Sequence, residues 1–375
     1  MTPPGTSQPD WVPPEGGDGF ATKIVAGVPG AAADARPAGP GGGAPDLTAL
    51  VPQLLAGERA ALARAITLVE SRAPRHRPAA ETLLEAVAGR AGRSLRVGIT
   101  GVPGAGKSTF IEALGMQLCE AGRRVAVLSV DPSSPVTGGS ILGDKTRMER
   151  LARHPAAYIR PSPSGCELGG VARRTRETIS LCEAAGFDTV LVETVGVGQS
   201  EVVVRGMVDC FVVLMIAGAG DELQGMKKGI LELADVLVVN KADGENKLRA
   251  EAARMEFAQA LHYLTGEQGA WQTPVLTCSA QTGEGVGAVW AAVEGYATAA
   301  TGRGEFAARR RAQELAWLET LVEEGLRARL LASPAVQAVQ AEVIAQVSAG
   351  TLSPAAGARR LWEKIAAVHL HKQGE

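Results

Sequence analysis

The chain has 375 residues, and its 38 Lys and Arg residues nearly balance its 40 Asp and Glu residues, for a formal net charge of −2. This length allows one large domain with appendages, and the lack of a long basic run argues against nucleic acid as a ligand. There is no apolar run of about 18 residues and no secretory or transit signal, so neither a membrane span nor export is expected. Five scattered cysteines without a C-x-x-C pair favour reduced thiols and a cytoplasmic location.

Residues 1–46 are rich in Pro, Gly and Ala and are predicted to be disordered. Residues 47–94 carry apolar side chains at helical spacing, such as Leu62, Ile66 and Val69, and are expected to form N-terminal helices packed on a sheet. A nucleotide-binding domain is predicted for residues 95–303 and a C-terminal helical arm for residues 304–375.

Seven short apolar runs within residues 95–303 are typical of buried strands. They are separated by stretches with helical periodicity, which indicates an α/β fold with a mostly parallel sheet. The predicted strands lie near 95–100, 125–130, 156–160, 189–193, 211–216, 236–240 and 274–278.

The first strand is followed by a complete G-x-x-x-x-G-K-[ST] phosphate loop and then by a helical segment. This order gives the motif its function, because backbone N–H groups and a helix N-terminus can surround a polyphosphate. Lys107 can reach the β- and γ-phosphates, and the Ser108 hydroxyl can bind Mg²⁺. The alternative is a Gly-rich turn without a ligand. The predicted phosphate-binding residues are Gly101, Val102, Pro103, Gly104, Ala105, Gly106, Lys107, Ser108 and Thr109.

The base is indicated by an N-K-x-D motif, Asn240-Lys241-Ala242-Asp243, after the sixth strand. Asp243 can accept hydrogen bonds from guanine N1–H and N2–H₂, a donor pair that adenine lacks, and an unpaired buried carboxylate would cost about 1–3 kcal/mol. Asn240 can tie this loop to the phosphate loop, and the Lys241 stem can cover the base. Taken alone, the motif is also compatible with a polar turn. A third loop after the last strand supports guanine through Ser279, Ala280 and Gln281.

Acidic residues follow two further strands and point to a metal site. Asp131 ends the second strand and Glu193 the fourth, and the carboxyl ends of parallel strands face the ligand. Asp144 is a second candidate for Mg²⁺ or for water placement, with a helix N-cap as the alternative. Gly196 can sense the γ-phosphate, but Val197 occupies the position where Ras-type enzymes carry a water-orienting Gln, so slow hydrolysis is expected.

Two further features suggest contacts with other proteins, one within the nucleotide-binding domain and one in the C-terminal arm. The charged segment 217–228 is either a solvated loop or a switch that contacts a partner. In the arm, Leu315, Leu318, Val322 and Leu326 recur at helical spacing, and Pro334 and Pro354 are expected to begin further helices. The arm either pairs with a twin or folds back on its own domain.

The chain from about 47 to 370 resembles the MeaB/ArgK family of P-loop GTPases. The phosphate loop, the run from Val130 to Ser134, the runs 138–147 and 159–163, the segment 193–201 and the segment 218–225 carry this resemblance. The resemblance implies a P-loop GTPase domain of the SIMIBI class. It also implies that Lys107, Asp131, Asp144 and Glu193 serve hydrolysis or Mg²⁺ binding, and that a third switch contains Gln224, Lys227 and Lys228.

The same resemblance implies a function and its partners. Such proteins bind and hydrolyse GTP as chaperones that gate cobalamin loading, protection and reactivation of an adenosylcobalamin-dependent acyl-CoA mutase of the methylmalonyl-CoA type. Cobalamin is expected on the partner, GTP or GDP with Mg²⁺ on this chain, and an adenosyltransferase is a further candidate partner. The family implies a homodimer joined through the C-terminal helices. The alternatives are a kinase for arginine/ornithine transport, a nickel-insertion GTPase and a GTPase of the signal-recognition type.

Overall fold

The computed structural model describes residues 46–71, 73–130, 148–161, 168–194, 200–218, 228–265 and 271–370, with only the backbone at 168–170, 200, 228, 264–265 and 369–370. The predictions for residues 1–45 and for Asp131, Asp144, Gly196, Gln224 and Lys227 lie outside the described residues.

Seven strands form one sheet in the order β3-β2-β4-β1-β5-β6-β7, and every neighbouring pair is parallel. The predicted α/β fold with a mostly parallel sheet is thus confirmed, and the strand ends agree with the sequence prediction to within one residue. The strands are β1 Leu95–Gly101, β2 Val125–Val130, β3 Ala157–Arg160, β4 Thr189–Thr194, β5 Cys210–Ile216, β6 Val236–Asn240 and β7 Val275–Thr277.

Helices cover both faces of the sheet, which explains why the strands are almost continuously apolar. One face packs against α4 Lys107–Glu120, α5 Glu149–Arg153 and α10 Val286–Gly302. The other face packs against α6 Leu168–Ala184, α7 Ser200–Arg205, α8 Lys228–Leu233 and α9 Lys247–Thr265.

Three N-terminal helices precede the sheet: α1 Leu47–Leu55, α2 Arg59–Glu70 and α3 Arg77–Val87. The Asp46 carboxylate caps α1 by accepting a 2.9 Å hydrogen bond from Thr48 N. These helices pack mainly against α6, which in turn packs against β2 and β4. Their apolar stripe, predicted to pack on the sheet, is therefore buried largely against a neighbouring helix.

The C-terminal region consists of α11 Glu305–Leu331, α12 Pro334–Ser348 and α13 Pro354–Leu370. The prolines at 334 and 354 begin helices as predicted, because proline at the first turn lacks only an N–H that has no intrahelical partner. Helices α12 and α13 pack on each other, whereas α11 buries no residue along its length. Among the described residues, no helix is long and apolar enough to cross a membrane.

The topology places β1 at the centre, between β4 and β5. The chain adds strands on one side of β1 up to β4 and then crosses to the other side with β5. In such sheets ligands bind outside the carboxyl ends of the strands, where the order reverses. Gly101, Thr194 and Asn240 end their strands at this edge.

Candidate functional site

The phosphate loop joins the end of β1 to the start of α4, and two of its glycines are required by close contacts. Gly101 has φ +152°, and a Cβ there would lie 2.1 Å from the Leu214 carbonyl oxygen. Gly106 has the left-handed φ of +83°, and its Cβ would lie 2.9 Å from Asn240 Nδ2. The loop therefore fits against β5 and β6 only with glycine at these positions.

The Lys107 ammonium is held by its own loop. Its Nζ donates to the carbonyl oxygens of Gly101, at 2.9 Å, and Val102, at 3.4 Å. Burial lowers the pKa of Lys107 below its usual value, although the charges of Glu193 and Glu201 act to raise it. A half-buried ammonium held by neutral carbonyls is well placed to exchange these acceptors for a charged phosphate oxygen.

Ser108 and Glu193 meet beside this lysine. The Ser108 hydroxyl donates to Glu193 Oε1 at 3.0 Å, and Glu193 is buried at the end of β4. A hydroxyl and a carboxylate in contact at a helix N-terminus are hard oxygen donors, which suits Mg²⁺ when a phosphate supplies further oxygens. These residues therefore fit the metal expected from the sequence.

A hydroxyl pair below the phosphate loop was not anticipated from the sequence. Thr194 Oγ1 donates to Thr100 Oγ1 at 2.7 Å, and both residues are fully buried. The pair joins the end of β1, which leads into the phosphate loop, to the end of β4, which carries Glu193. No periodic pattern in the sequence marks such a pair.

Asn240 connects the three loops of the predicted guanine site. Its Nδ2 donates to the Ala105 carbonyl oxygen at 2.7 Å, the contact with the phosphate loop that the sequence suggested. Its Oδ1 accepts from Ala280 N at 3.0 Å and from Cys278 Sγ at 3.4 Å. Each of these contacts is to another loop of the same protein, so Asn240 fixes the loops relative to one another.

Asp243 is half-buried and oriented by the third loop. Ser279 Oγ donates to Asp243 Oδ2 at 2.5 Å and accepts from Thr282 N at 3.2 Å. Lys241 is exposed and has φ +61°, a left-handed conformation that is uncommon for a residue with a side chain. Gln281 is exposed beside them.

The structure brings the predicted phosphate and guanine residues to one edge of the sheet. Pro103, Gly104 and Thr109 are exposed along the phosphate loop. Lys228 begins α8, with only its backbone described. Asp131, Asp144, Gly196, Gln224 and Lys227 fall outside the described residues.

The fold and the three loops define a P-loop nucleotide-binding protein. The sequence model of the MeaB family, described as "Methylmalonyl Co-A mutase-associated GTPase MeaB", matches residues 62–335. The chain belongs to this family of P-loop GTPases.

Relatives of known name agree with this assignment. The chain is 57% identical over 307 residues to a protein of Mycobacterium bovis named a probable GTPase, covering 82% of this chain and 91% of the relative. It is 52% identical to the GTPase ArgK of Escherichia coli, covering 84% and 95%. It is also 44% identical to the mitochondrial methylmalonic aciduria type A homolog of Mus musculus, covering 84% and 79%.

A solved structure shows the same architecture. The crystal structure of an LAO/AO transport system kinase aligns with a TM-score of 0.67 and 43% sequence identity, covering 86% of this chain and 99% of that chain.

Proposed function

We propose that the chain binds GTP at the carboxyl edge of its sheet and hydrolyses it to GDP and phosphate. The observation that carries this proposal is the contact of Asn240 with Ala105, because it joins a guanine-type loop directly to a phosphate loop. The backbone of residues 101–109 would surround the phosphates, and Lys107 would move from its loop carbonyls to the β- and γ-phosphate oxygens.

Guanine would be read by Asp243, with Ser279 holding the carboxylate in place. The two carboxylate oxygens must point in a defined direction, because they accept hydrogen bonds from two donors on one edge of the base. Lys241 would cover one face of the base, and Ala280 and Gln281 would close the loop around it.

Mg²⁺ would be held by Ser108 and, directly or through water, by Glu193, with Asp131 and Asp144 as further proposed ligands. When bound, the ion supplies charge neutralisation at the β- and γ-phosphates. The Glu193 carboxylate would accept a hydrogen bond either from the Ser108 hydroxyl or from a water bound to the ion. We also propose that the Gly196 N–H contacts the γ-phosphate. Hydrolysis by the isolated chain would be slow.

The partner is proposed to be an adenosylcobalamin-dependent acyl-CoA mutase of the methylmalonyl-CoA type. The family description names this association, and the mouse relative is named a methylmalonic aciduria type A homolog. GTP binding and hydrolysis would gate cobalamin loading, protection and reactivation of the mutase, with cobalamin on the partner. Gln224, Lys227 and Lys228 would contact the mutase, and an adenosyltransferase would take part in loading.

We further propose that the chain is a homodimer joined through residues 304–375, with the GTPase domain at 95–303 and helices at 47–94. Leu318, Val322 and Leu326 are more than half exposed on one stripe of α11, which is a natural contact for a second copy. The described cysteines are free thiols, which fits a cytoplasmic location.

The test of the chaperone function is cofactor loading. Purified apo-mutase is mixed with adenosylcobalamin and the chain, with GTP, GDP or no nucleotide, and mutase activity is followed with time. Loading that depends on the nucleotide and is altered in Lys107→Ala supports the proposal. Identical loading with and without the chain contradicts it, and Thr320→Ala, on the exposed arm, serves as the control variant.

A further inference from the structure

The first turns of α11 hold the C-terminal end of α7. Gln313 Nε2 donates to the carbonyl oxygens of Val208, at 2.9 Å, and Arg205, at 3.3 Å. Arg309 Nη1 donates to the Asp209 carbonyl oxygen at 2.7 Å. Carbonyls in the last turn of a helix have no intrahelical partner. Gln313 therefore caps α7 at Arg205, and together with Arg309 it holds the segment that follows the helix.

The same segment is held from the other side by α6. Arg176 Nη2 donates to the Gly206 carbonyl oxygen at 2.6 Å, and its guanidinium lies 5.3 Å from the centre of the Trp317 ring. Arg176 Nη1 also donates to the Gln313 carbonyl oxygen, at 3.5 Å. The end of α7, the first turns of α11 and the middle of α6 therefore form one hydrogen-bonded junction.

An ion pair fixes this part of α11 to the sheet. Arg310 donates to both carboxylate oxygens of Asp209, at 2.7 and 2.6 Å, and the Asp209 side chain is 2% exposed. Asp209 Oδ2 also accepts from Arg96 N at 2.8 Å. The start of α11 is thus attached to the amino ends of β1 and β5.

Beyond this junction α11 is attached more weakly, through an ion pair of 3.9 Å between Glu324 and Arg173 of α6. It buries no residue, and its C-terminal half lines an open cleft of about 640 Å³ against α2, α3 and α6, with Glu324 and Arg327 on its wall. The helix extends roughly 27 Å beyond Gln313. A small rotation at the junction would therefore be enlarged along the arm.

The other end of α7 carries Glu201, which is buried in the first turn of the helix. Its negative charge acts to raise the pKa of Lys107, against the larger lowering by burial. Helix α7 also packs against β1 and β4, the strands that end at Gly101 and Thr194. With six residues, α7 is about 9 Å long, so a shift at either end displaces the whole helix.

We infer that Gln313 of the arm is a positioning residue for the GTPase site, acting through α7 on β1 and β4, the strands that carry the phosphate loop and Glu193 at their ends. The inference rests on the proposed GTPase function and adds a route by which the arm and the nucleotide influence each other. Because such coupling is reciprocal, a change in the arm alters hydrolysis, and the bound nucleotide alters the arm.

The test compares Gln313→Ala and the volume-keeping Gln313→Met with Gln337→Ala, the same deletion on an exposed position of α12. For each variant, kcat, KM and the dissociation constant for GDP are measured. Amide hydrogen exchange over residues 305–331 is then followed with GDP and with a non-hydrolysable GTP analogue. Circular dichroism confirms that each variant is folded.

We expect wild type and Gln337→Ala to show a nucleotide-dependent difference in exchange in the first turns of α11. In both Gln313 variants this difference is lost, and kcat falls about three- to tenfold while GDP affinity changes less than about twofold. Variants of Gln313 that match Gln337→Ala in kcat and in exchange overturn the inference. If the Gln313 variants behave like Gln337→Ala while wild type still hydrolyses GTP, the inference about Gln313 is wrong and the proposed GTPase function stands. A wild-type chain that binds no guanine nucleotide contradicts both the inference and the proposed function.

Discussion

The Ser279 hydroxyl lies 2.5 Å from the Asp243 carboxylate and donates a hydrogen bond to it. Ser279 is fully buried and Asp243 is half-buried, so this bond sets the direction of the carboxylate at the proposed guanine site. A hydrogen bond to a charged group contributes about 1.5 kcal/mol or more.

Replacing Ser279 by Ala is therefore expected to weaken GDP binding about tenfold, since that energy corresponds to a factor of ten in affinity. Fluorescence titration with a labelled GDP measures the change. Thr320→Ala, which removes a hydroxyl from the exposed arm, should bind GDP like wild type. An unchanged affinity in Ser279→Ala would show that Asp243 does not need this partner.

Replacing Asp243 by Asn should shift base preference from guanine toward xanthine. The amide of Asn can donate to the xanthine O2 carbonyl, whereas the carboxylate of Asp243 suits the guanine N2–H₂ donor. We expect GDP affinity to fall by at least about tenfold and XDP affinity to rise. Competition titrations with GDP, XDP and ADP measure the preference, and equal GDP affinity in the variant would exclude Asp243 as the base-reading group.

The strands and the loop order were predictable from the sequence because both depend on local patterns. Strand β6 is apolar up to its last residue because both faces of the sheet are covered. That last residue, Asn240, donates a hydrogen bond to the Ala105 carbonyl oxygen, as the N-K-x-D motif suggested. The junction of Arg310 with Asp209 was not predictable. These residues lie 101 positions apart and meet only because α11 returns to the amino edge of the sheet.

The packing of the N-terminal helices shows the same limit. Apolar periodicity identified the buried faces of α2 and α3 but not the surface that covers them, since a helix and a sheet bury an apolar stripe equally well. The structure supplies α6 as that surface. The Thr100–Thr194 pair was missed for a related reason, because single hydroxyls at strand ends carry no periodic signal.

A buried ion pair at the amino edge of the sheet should make stability depend on acid pH. Burial acts to raise the pKa of Glu183, but hydrogen bonds and charge from Arg96, with hydrogen bonds from Ser94 and Gly92, leave this pKa below its usual value. Both carboxylate oxygens accept from the Arg96 guanidinium at 2.8 Å. A carboxylate whose pKa is lower in the folded than in the unfolded state stabilises the fold at pH values above its unfolded-state pKa. This contribution is lost as the pH falls through its folded-state pKa.

We therefore expect Glu183→Gln to lower the free energy of unfolding at pH 7 by about 3 kcal/mol, because Arg96 loses its buried counter-charge. Urea unfolding between pH 7 and pH 3 measures the effect. The difference from wild type should be constant down to about pH 5 and shrink below about pH 4. Glu85→Gln, at an exposed position of α3, is the control; a difference that persists unchanged at pH 3 would contradict the assignment of a lowered pKa to Glu183.

The exposed stripe of α11 should determine the oligomeric state. Val322→Glu places a charge in the proposed dimer contact, where its burial without a partner is unfavourable. We expect sedimentation to show a dimer for wild type and a shift toward monomer in the variant at micromolar concentration. Leu248→Glu changes a more exposed apolar residue, on α9, and should leave the mass unchanged. A wild-type monomer, or equal masses in all three proteins, would refute a dimer through α11.

The proposed GTPase site and its partner are tested together by steady-state GTP hydrolysis, measured for the chain alone and with an adenosylcobalamin-dependent acyl-CoA mutase from the same source. ATP serves as the control substrate and Lys107→Ala as the control variant. We expect slow GTP turnover that rises severalfold with the mutase, no comparable ATP turnover, and no hydrolysis by Lys107→Ala. Turnover of GTP that the mutase leaves unchanged would contradict the proposed partner, and a preference for ATP would contradict the guanine site itself.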